Sequence, residues 1–121
     1  MKIAIVGPCA AGKSTLESNL KKLGFDAHAI AQEHSGVQTM WQQITRPDVV
    51  IYLDANLATI NARRNKNWEP SYLAEMNRRL AHARANADFF LATNNLSIDL
   101  VLTHVRAFLE LLQNENHKSK I

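Results

Sequence analysis

Lys2-Ile3-Ala4-Ile5-Val6-Gly7-Pro8-Cys9-Ala10-Ala11-Gly12-Lys13-Ser14-Thr15 decides how the rest of the chain is read. Residues 2–6 are a short apolar run, suited to a parallel strand buried on both faces. Residues 7–12 form a loop of small residues. Residues 13–23 set Leu16, Leu20 and Leu23 on one helical face before Gly24 stops the helix. Across this strand, loop and helix, Gly7 to Ser14 satisfies the spacing G-x-x-x-x-G-K-[ST] of a phosphate-binding loop, the Walker A motif. Small residues at Gly7, Pro8, Cys9, Ala10, Ala11 and Gly12 would let backbone N–H groups curl around phosphate oxygens. The helix N-terminus adds partial positive charge. Lys13 is expected to bridge the outer phosphates and the Ser14 hydroxyl to ligate Mg²⁺, while Thr15 adds a contact to an inner phosphate. A chance match, or a loop that binds nothing, is the competing reading; the agreement of both flanks weighs against it. Cys9 is either a small residue that fits the loop or a thiol whose pKa the helix N-terminus lowers.

Outward from this loop the pattern alternates. Residues 26–31 read as a weak strand, 36–44 as a short helix carrying Val37, Met40, Trp41 and Ile44, and 49–53 as a strong buried strand ending at Asp54. Asn56 is expected to cap a helix reaching Arg64. Residues 65–71 form a polar bend with Trp68 and Pro70, and 72–87 a helix with Leu73, Met76, Leu80, Ala83 and Ala87 at helical spacing. A fourth strand is expected at 89–92 and a last helix, capped by Ser97, through residue 112. Strands alternating with helices imply an α/β fold, a three-layer doubly wound parallel sheet of about four strands ordered second, first, third, fourth.

The length of 121 residues fits one domain, taken as 1–113, followed by a polar, frayed tail at 114–121. Hydrophobic residues at 46% and charged residues at 21% exclude a disordered class. A single cysteine excludes an internal disulfide and suits a reducing cytoplasm. No apolar run reaches membrane-spanning length, and the start reads as a first strand, not a signal peptide. The net charge of +3 is local in origin: Arg63, Arg64, Lys66, Arg78, Arg79 and Arg84 face only Glu69 and Glu75 in that stretch.

The loop, the strand Val49-Val50-Ile51-Tyr52-Leu53-Asp54 and the arginine-bearing helices after it resemble the small P-loop kinases, the adenylate, thymidylate and shikimate kinase-like group. Only the loop motif is specific; the rest is order and spacing across nearly the whole chain. The resemblance implies the P-loop nucleoside triphosphate hydrolase fold, ATP and Mg²⁺ as cofactors, and a mobile lid at about 63–79. It also implies adenine stacking by Arg63 or Arg64 and a phosphate clamp from Arg78 and Arg79. Planar guanidinium forks suit phosphate oxygens independently of any family. The alternative for these arginines is a solvated helix face, with Glu75 and Arg79 paired at i,i+4. The chain departs from the group in two ways. Only residues 24–48 are left for an acceptor site, so a separate acceptor-binding domain is missing. The usual acid element beside the loop is replaced by Gln32-Glu33-His34-Ser35.

A magnesium-dependent phosphotransferase needs an acid near the metal or the attacking hydroxyl. Glu33 is favoured over Asp54 for a water-mediated Mg²⁺ contact or a base, with an exposed turn acid as its alternative; Asp26 lies at the wrong strand end. His34 is either an assistant in proton transfer or an ordinary loop histidine. Trp41 is expected in the core and Trp68 in the lid, where it could report closure; Arg46 is not singled out. The expected function is a cytoplasmic kinase transferring the γ-phosphoryl group of Mg-ATP to a small-molecule acceptor, ATP being favoured over GTP. A nucleotide-binding or slowly hydrolysing module acting through a protein partner is the alternative. No membrane partner is expected and a nucleic-acid role ranks last. A homodimer is compatible with the sequence, which does not fix the oligomeric state.

Overall fold

The computed structural model describes residues 1–119, and the side-chain environment of residues 1–115. The elements in chain order are β1 (Lys2–Val6), α1 (Lys13–Lys22), β2 (Asp26–Ala29), a 3₁₀ turn (Gln32–His34), α2 (Met40–Thr45), β3 (Val49–Asp54), α3 (Leu57–Arg64), α4 (Pro70–Arg79), α5 (Ala81–Ala85), β4 (Phe89–Ala92) and α6 (Ile98–Ser119). The four strands form one all-parallel sheet in the order β2-β1-β3-β4, as the sequence pattern implied. In register, Ile5 sits opposite Ala29 and Ile51, and Ile51 opposite Phe89.

Alternation along the strands divides the core into two clusters. Ile3, Ile5, Ile51 and Leu53 pack with Leu16 and Leu20 of α1, Ile60 of α3, and Val105 and Leu109 of α6. Ala4, Val6, Val50 and Tyr52 pack with Trp41 of α2, Leu80, and Ala83 of α5. Helices therefore flank the sheet on both faces, giving a layered α/β fold. Each fully buried leucine or isoleucine contributes roughly 1.5–3 kcal/mol from burial, so the α1–α6 side carries the heavier apolar load. No described helix is long and apolar enough to cross a membrane.

Gly7 is required where β1 ends. Its φ is +149°, and a Cβ there would lie 1.9 Å from the Leu53 carbonyl oxygen of β3. Asn56 and Ser97 cap as expected: the Asn56 side chain accepts from Thr59 N–H at 2.9 Å and the Ser97 hydroxyl from Leu100 N–H at 3.1 Å.

Several boundaries differ from the sequence expectation. The helix expected at 72–87 starts at Pro70, a favoured first helical position, and breaks at Leu80 into α4 and α5. At the break the Arg78 and Arg79 carbonyls accept from the Gln38 and Gln32 side-chain amides, which take over from the interrupted helical ladder. The helix expected at 36–44 begins only at Met40. Val37 lies ahead of it with its carbonyl held by Gln32, and Val37 and Ile44 are exposed while Trp41 is buried. The strand expected at 26–31 ends at Ala29, and α6 continues past residue 112 to Ser119. Residues 120–121 of the expected tail lie outside the described residues.

Candidate functional site

The carboxyl ends of the four strands share one edge of the sheet. The loops leaving β1, β2 and β4 meet there around a cavity of about 680 Å³. Cys9 to Leu16 form its floor, Ala29 to Ala31 with Glu33 and His34 one wall, and Arg63, Arg64, Thr93 and the start of α6 the other.

The floor is donor-rich. Gly12, at φ +103°, leads into α1, whose first backbone bond runs from Leu16 N–H to Gly12 C=O at 3.0 Å. The amides of Lys13, Ser14 and Thr15 precede that bond and have no helical acceptor. Ala10 has φ +61°, a left-handed conformation that costs a residue with a Cβ roughly 1–2 kcal/mol. Arg63 Nη1 donates to the Ala10 carbonyl at 2.8 Å, and the Thr93 hydroxyl lies 2.9 Å from the Ala11 carbonyl.

Lys13 turns inward. Its ammonium donates to the Gly7 carbonyl at 2.8 Å, the Pro8 carbonyl at 3.0 Å and Glu33 Oε2 at 2.5 Å, using all three protons. Both partners of the ion pair are nearly closed off from water. Glu33 is therefore not an exposed turn acid; it sits in the 3₁₀ turn after β2, at 3% exposure. Its second oxygen, Oε1, is buried with no partner among the described residues. A buried acceptor left unpaired costs about 1–3 kcal/mol, more when charged.

Gln32, fully buried, fixes that turn. Its amide donates to the Val37 and Arg79 carbonyls, and its carbonyl accepts from Trp41 N–H at 3.0 Å. Asp54, the rival acid, does not line the cavity; its backbone carbonyl accepts from Thr93 N–H at 2.8 Å. His34 lines the wall beside Glu33.

The arginines divide into two groups. Arg63 and Arg64 line the cavity. Arg63 spends its guanidinium on the Ala10 carbonyl, the Thr93 hydroxyl and the Thr93 carbonyl, so it braces the loop. Arg64 makes no hydrogen bond or ion pair among the described residues. Arg78 and Arg79 are not brought to the cavity. Both pair with Glu75, at 2.5 Å and 3.1 Å, which is the solvated-face alternative.

Cys9 is buried, and burial pushes its thiol above the ordinary range against the lowering charges of Arg64 and Lys13. That direction is opposite to an activated thiolate and fits a packing role. Tyr72 of α4 packs against the core cluster that includes Cys9, and its phenol is likewise raised, first by partial burial and then by Cys9. Tyr72 and Trp68 rings lie 4.4 Å apart, and Asn61 ties Trp68 to α3 through Trp68 N–H and C=O. Trp41 is a core residue as expected, its indole N–H meeting His82 Nδ1 at 3.1 Å. Arg46 lines a separate hollow at the amino-terminal edge of the sheet, beside Asp48 and Asp88.

Two residues of the site were not singled out from sequence. Thr93, at 1% exposure, gave only the signal of a polar residue directly after an apolar strand. Gln32 gave none beyond its neighbour Glu33. No protein-family model matches this chain, and no curated protein matches it.

Proposed function

We propose that this protein is a P-loop ATP-binding protein of the small-kinase type, transferring the γ-phosphoryl group of Mg-ATP to a small hydroxyl-bearing acceptor. The observation that carries the reading is the Lys13–Glu33 pair at the mouth of a donor-lined loop, with Glu33 Oε1 buried and unpartnered. The residues fit the group they would hold. Unpaired amides at the start of α1 and the Lys13 ammonium suit phosphate oxygens. Among the described residues no cluster of three or more His, Cys, Asp or Glu side chains exists. A magnesium ion would therefore take the Ser14 hydroxyl, phosphate oxygens and water, as that ion commonly does.

Mg-ATP would supply the transferable phosphoryl group and the divalent charge that neutralises it. The protein's share is binding, charge and proton handling. Lys13 would exchange its Glu33 and carbonyl partners for phosphate oxygens, which would free Glu33. Glu33 would then be the group that takes the proton of the acceptor hydroxyl, while bound Mg-ATP would supply the phosphoryl group and carry the diphosphate away as leaving group. Arg64, unpaired at the rim, is available for charge that develops on the transferred group.

A second reading is favoured by the short stretch between α1 and β3. It supplies only β2, one 3₁₀ turn and the six-residue α2, and its Gln32 and Trp41 are core residues. With so little left for an acceptor, the chain would be a nucleotide-binding or slowly hydrolysing module that works through a protein partner.

Calorimetric titration of Mg-ATP into the wild type and Lys13→Ala tests the common ground. The wild type should bind, and the variant should lose about a hundredfold in affinity, as expected when a buried charged donor to phosphate is removed. Equal affinities would end both readings. Phosphate release without an added acceptor would then favour the second over the first.

A further inference from the structure

We infer that Thr93 is a positioning residue for the phosphate loop: together with Arg63 it holds the loop carbonyls outward, so that the Gly12 amide is aimed at a bound polyphosphate. The inference rests on the phosphate-binding reading and adds to it a residue from the far end of the sheet. Thr93 follows β4, 79 positions past Ser14, so no local motif connects it to the loop.

The geometry has three parts. First, the Thr93 hydroxyl is buried and sits 2.9 Å from the Ala11 carbonyl and 3.1 Å from the Asp54 carbonyl, while accepting from Arg63 Nη1 at 3.1 Å. Its one proton has its shorter contact with Ala11. Second, the described peptides are trans, and a planar trans peptide points its N–H opposite to its C=O. With the Ala11 carbonyl turned to Thr93, the Gly12 N–H faces the other way. It precedes the first helical bond of α1, like the amides of Lys13 and Ser14 beside it. Third, the preceding peptide is under strain. Ala10 is held in a left-handed conformation while Arg63 takes its carbonyl, and Ala11 N–H makes only a long 3.3 Å contact to the Pro8 carbonyl. Without outside support a strained alanine and a free carbonyl would relax, turning the loop's donors away.

Thr93 itself is set by the sheet. Its N–H donates to the Asp54 carbonyl at 2.8 Å, continuing the β3–β4 ladder by one residue. The loop after β1 is thereby indexed to the rigid ends of β3 and β4. Such preorganisation spares the loop a reorganisation cost when it binds.

The test uses Thr93→Val, which keeps the branched shape and removes the hydroxyl, and Thr93→Ser, which restores it. Inorganic pyrophosphate is titrated into each at a temperature where each is folded, with the Gly12 amide followed by NMR. The wild type should bind, with Gly12 among the amides that move furthest downfield. Thr93→Val should bind about tenfold more weakly, the size of one oriented hydrogen bond to a charged ligand, with the Gly12 shift reduced. Thr93→Ser should recover most of both. If Thr93→Val melts lower yet binds like the wild type with an unchanged Gly12 shift, Thr93 is only structural and the inference falls while phosphate binding stands. Wild-type binding that leaves Gly12 unmoved while its neighbours shift overturns it equally, without any variant having to fold. No pyrophosphate binding by the wild type overturns the phosphate reading and this inference together.

Discussion

Two of the places where this molecule holds an acid beside basic side chains differ in almost every physical respect. On α4, Glu75 pairs with Arg78 and Arg79, its neighbours at i+3 and i+4, on an exposed face. Hydrogen bonds, first from Arg78, hold the Glu75 carboxyl below its ordinary range and raise Arg78 above its own. At the strand ends, Glu33 meets Lys13 from twenty positions away, with both side chains nearly excluded from water. The first arrangement is local, solvated and screened, and surface pairs of that kind add little to stability. The second requires the whole sheet to be assembled. Its members have given up hydration, so each depends on the other. Basic side chains near acids therefore say little about function until burial and sequence separation are known.

The sharpest way to break this contrast is at Glu33. Glu33→Ala leaves the Lys13 ammonium buried against two carbonyls, with no compensating charge. Loss of one partner of a buried pair costs about 3–5 kcal/mol; the two remaining carbonyl acceptors put the expected loss near the lower end, about 3 kcal/mol. Urea unfolding of wild type and variant reads it directly. Glu33→Gln, which keeps the shape and an acceptor, should lose less. It should also retain Mg-ATP binding while losing phosphoryl transfer if Glu33 takes the proton. A Glu33→Ala protein as stable as the wild type would mean that the pair is as weak as the one on α4.

Tyr52 offers an intermediate case: buried like Glu33, but neutral. Its hydroxyl is fully enclosed and unpaired among the described residues, its ring stacks on Phe90 at 5.4 Å, and Arg84 lies over the Phe90 face at 4.9 Å. Burial, then the Asp54 charge, pushes its pKa up to about 12. The folded chain thus keeps the phenol proton at pH values where the unfolded chain releases it. The stability tied to that proton is complete below the ordinary tyrosine pKa and is lost as pH rises from there through about 12. Tyr52→Phe should be as stable as the wild type near neutral pH, or about 1 kcal/mol more so, because an unpaired buried hydroxyl is removed. In strong alkali the advantage of the variant should grow by on the order of 2 kcal/mol. Parallel urea midpoints across the alkaline range would show it. A constant difference would place the hydroxyl in contact with water.

Much of the scaffold was legible because it is written locally. The apolar runs of β1 and β3, the caps at Asn56 and Ser97, and the positive φ of Gly12 each act within a few residues; Gly7 was legible from the loop motif, although its close neighbour is the distant Leu53 carbonyl. Alternation of strands and helices implied the parallel sheet, and the doubly wound arrangement its strand order. What failed to show was tertiary in origin. The break at Leu80 depends on glutamines more than forty positions away, because Gln32 and Gln38 reach the Arg79 and Arg78 carbonyls only after folding. Helical periodicity through 72–87 contains no trace of them. In the candidate site, Lys13 and Glu33 stood out by residue type and by distance from strand ends, whereas Thr93 looked like any residue leaving a strand. Arg63 was legible as a cavity residue but not as a brace, since its acceptors are backbone carbonyls that carry no sequence signature.

The smallest effects are expected on α4, and there the comparison is most exposed to failure. Arg78→Ala and Arg79→Ala, singly or together, should leave the melting temperature within measurement error and change Mg-ATP affinity by less than about twofold, because solvated pairs contribute little. Arg64→Ala, which removes the cavity guanidinium that has no partner, should weaken binding by about tenfold, the scale of one charge-assisted contact. Affinity and turnover must be measured separately. If the α4 variants bind Mg-ATP normally yet lose turnover by orders of magnitude, Arg78 and Arg79 leave Glu75 and reach the transferred group only when the segment closes, as charge-stabilising arginines can. That result would erase the division between the two regions: the solvated pair would be a resting arrangement, with Glu75 holding in store the charges the cavity needs.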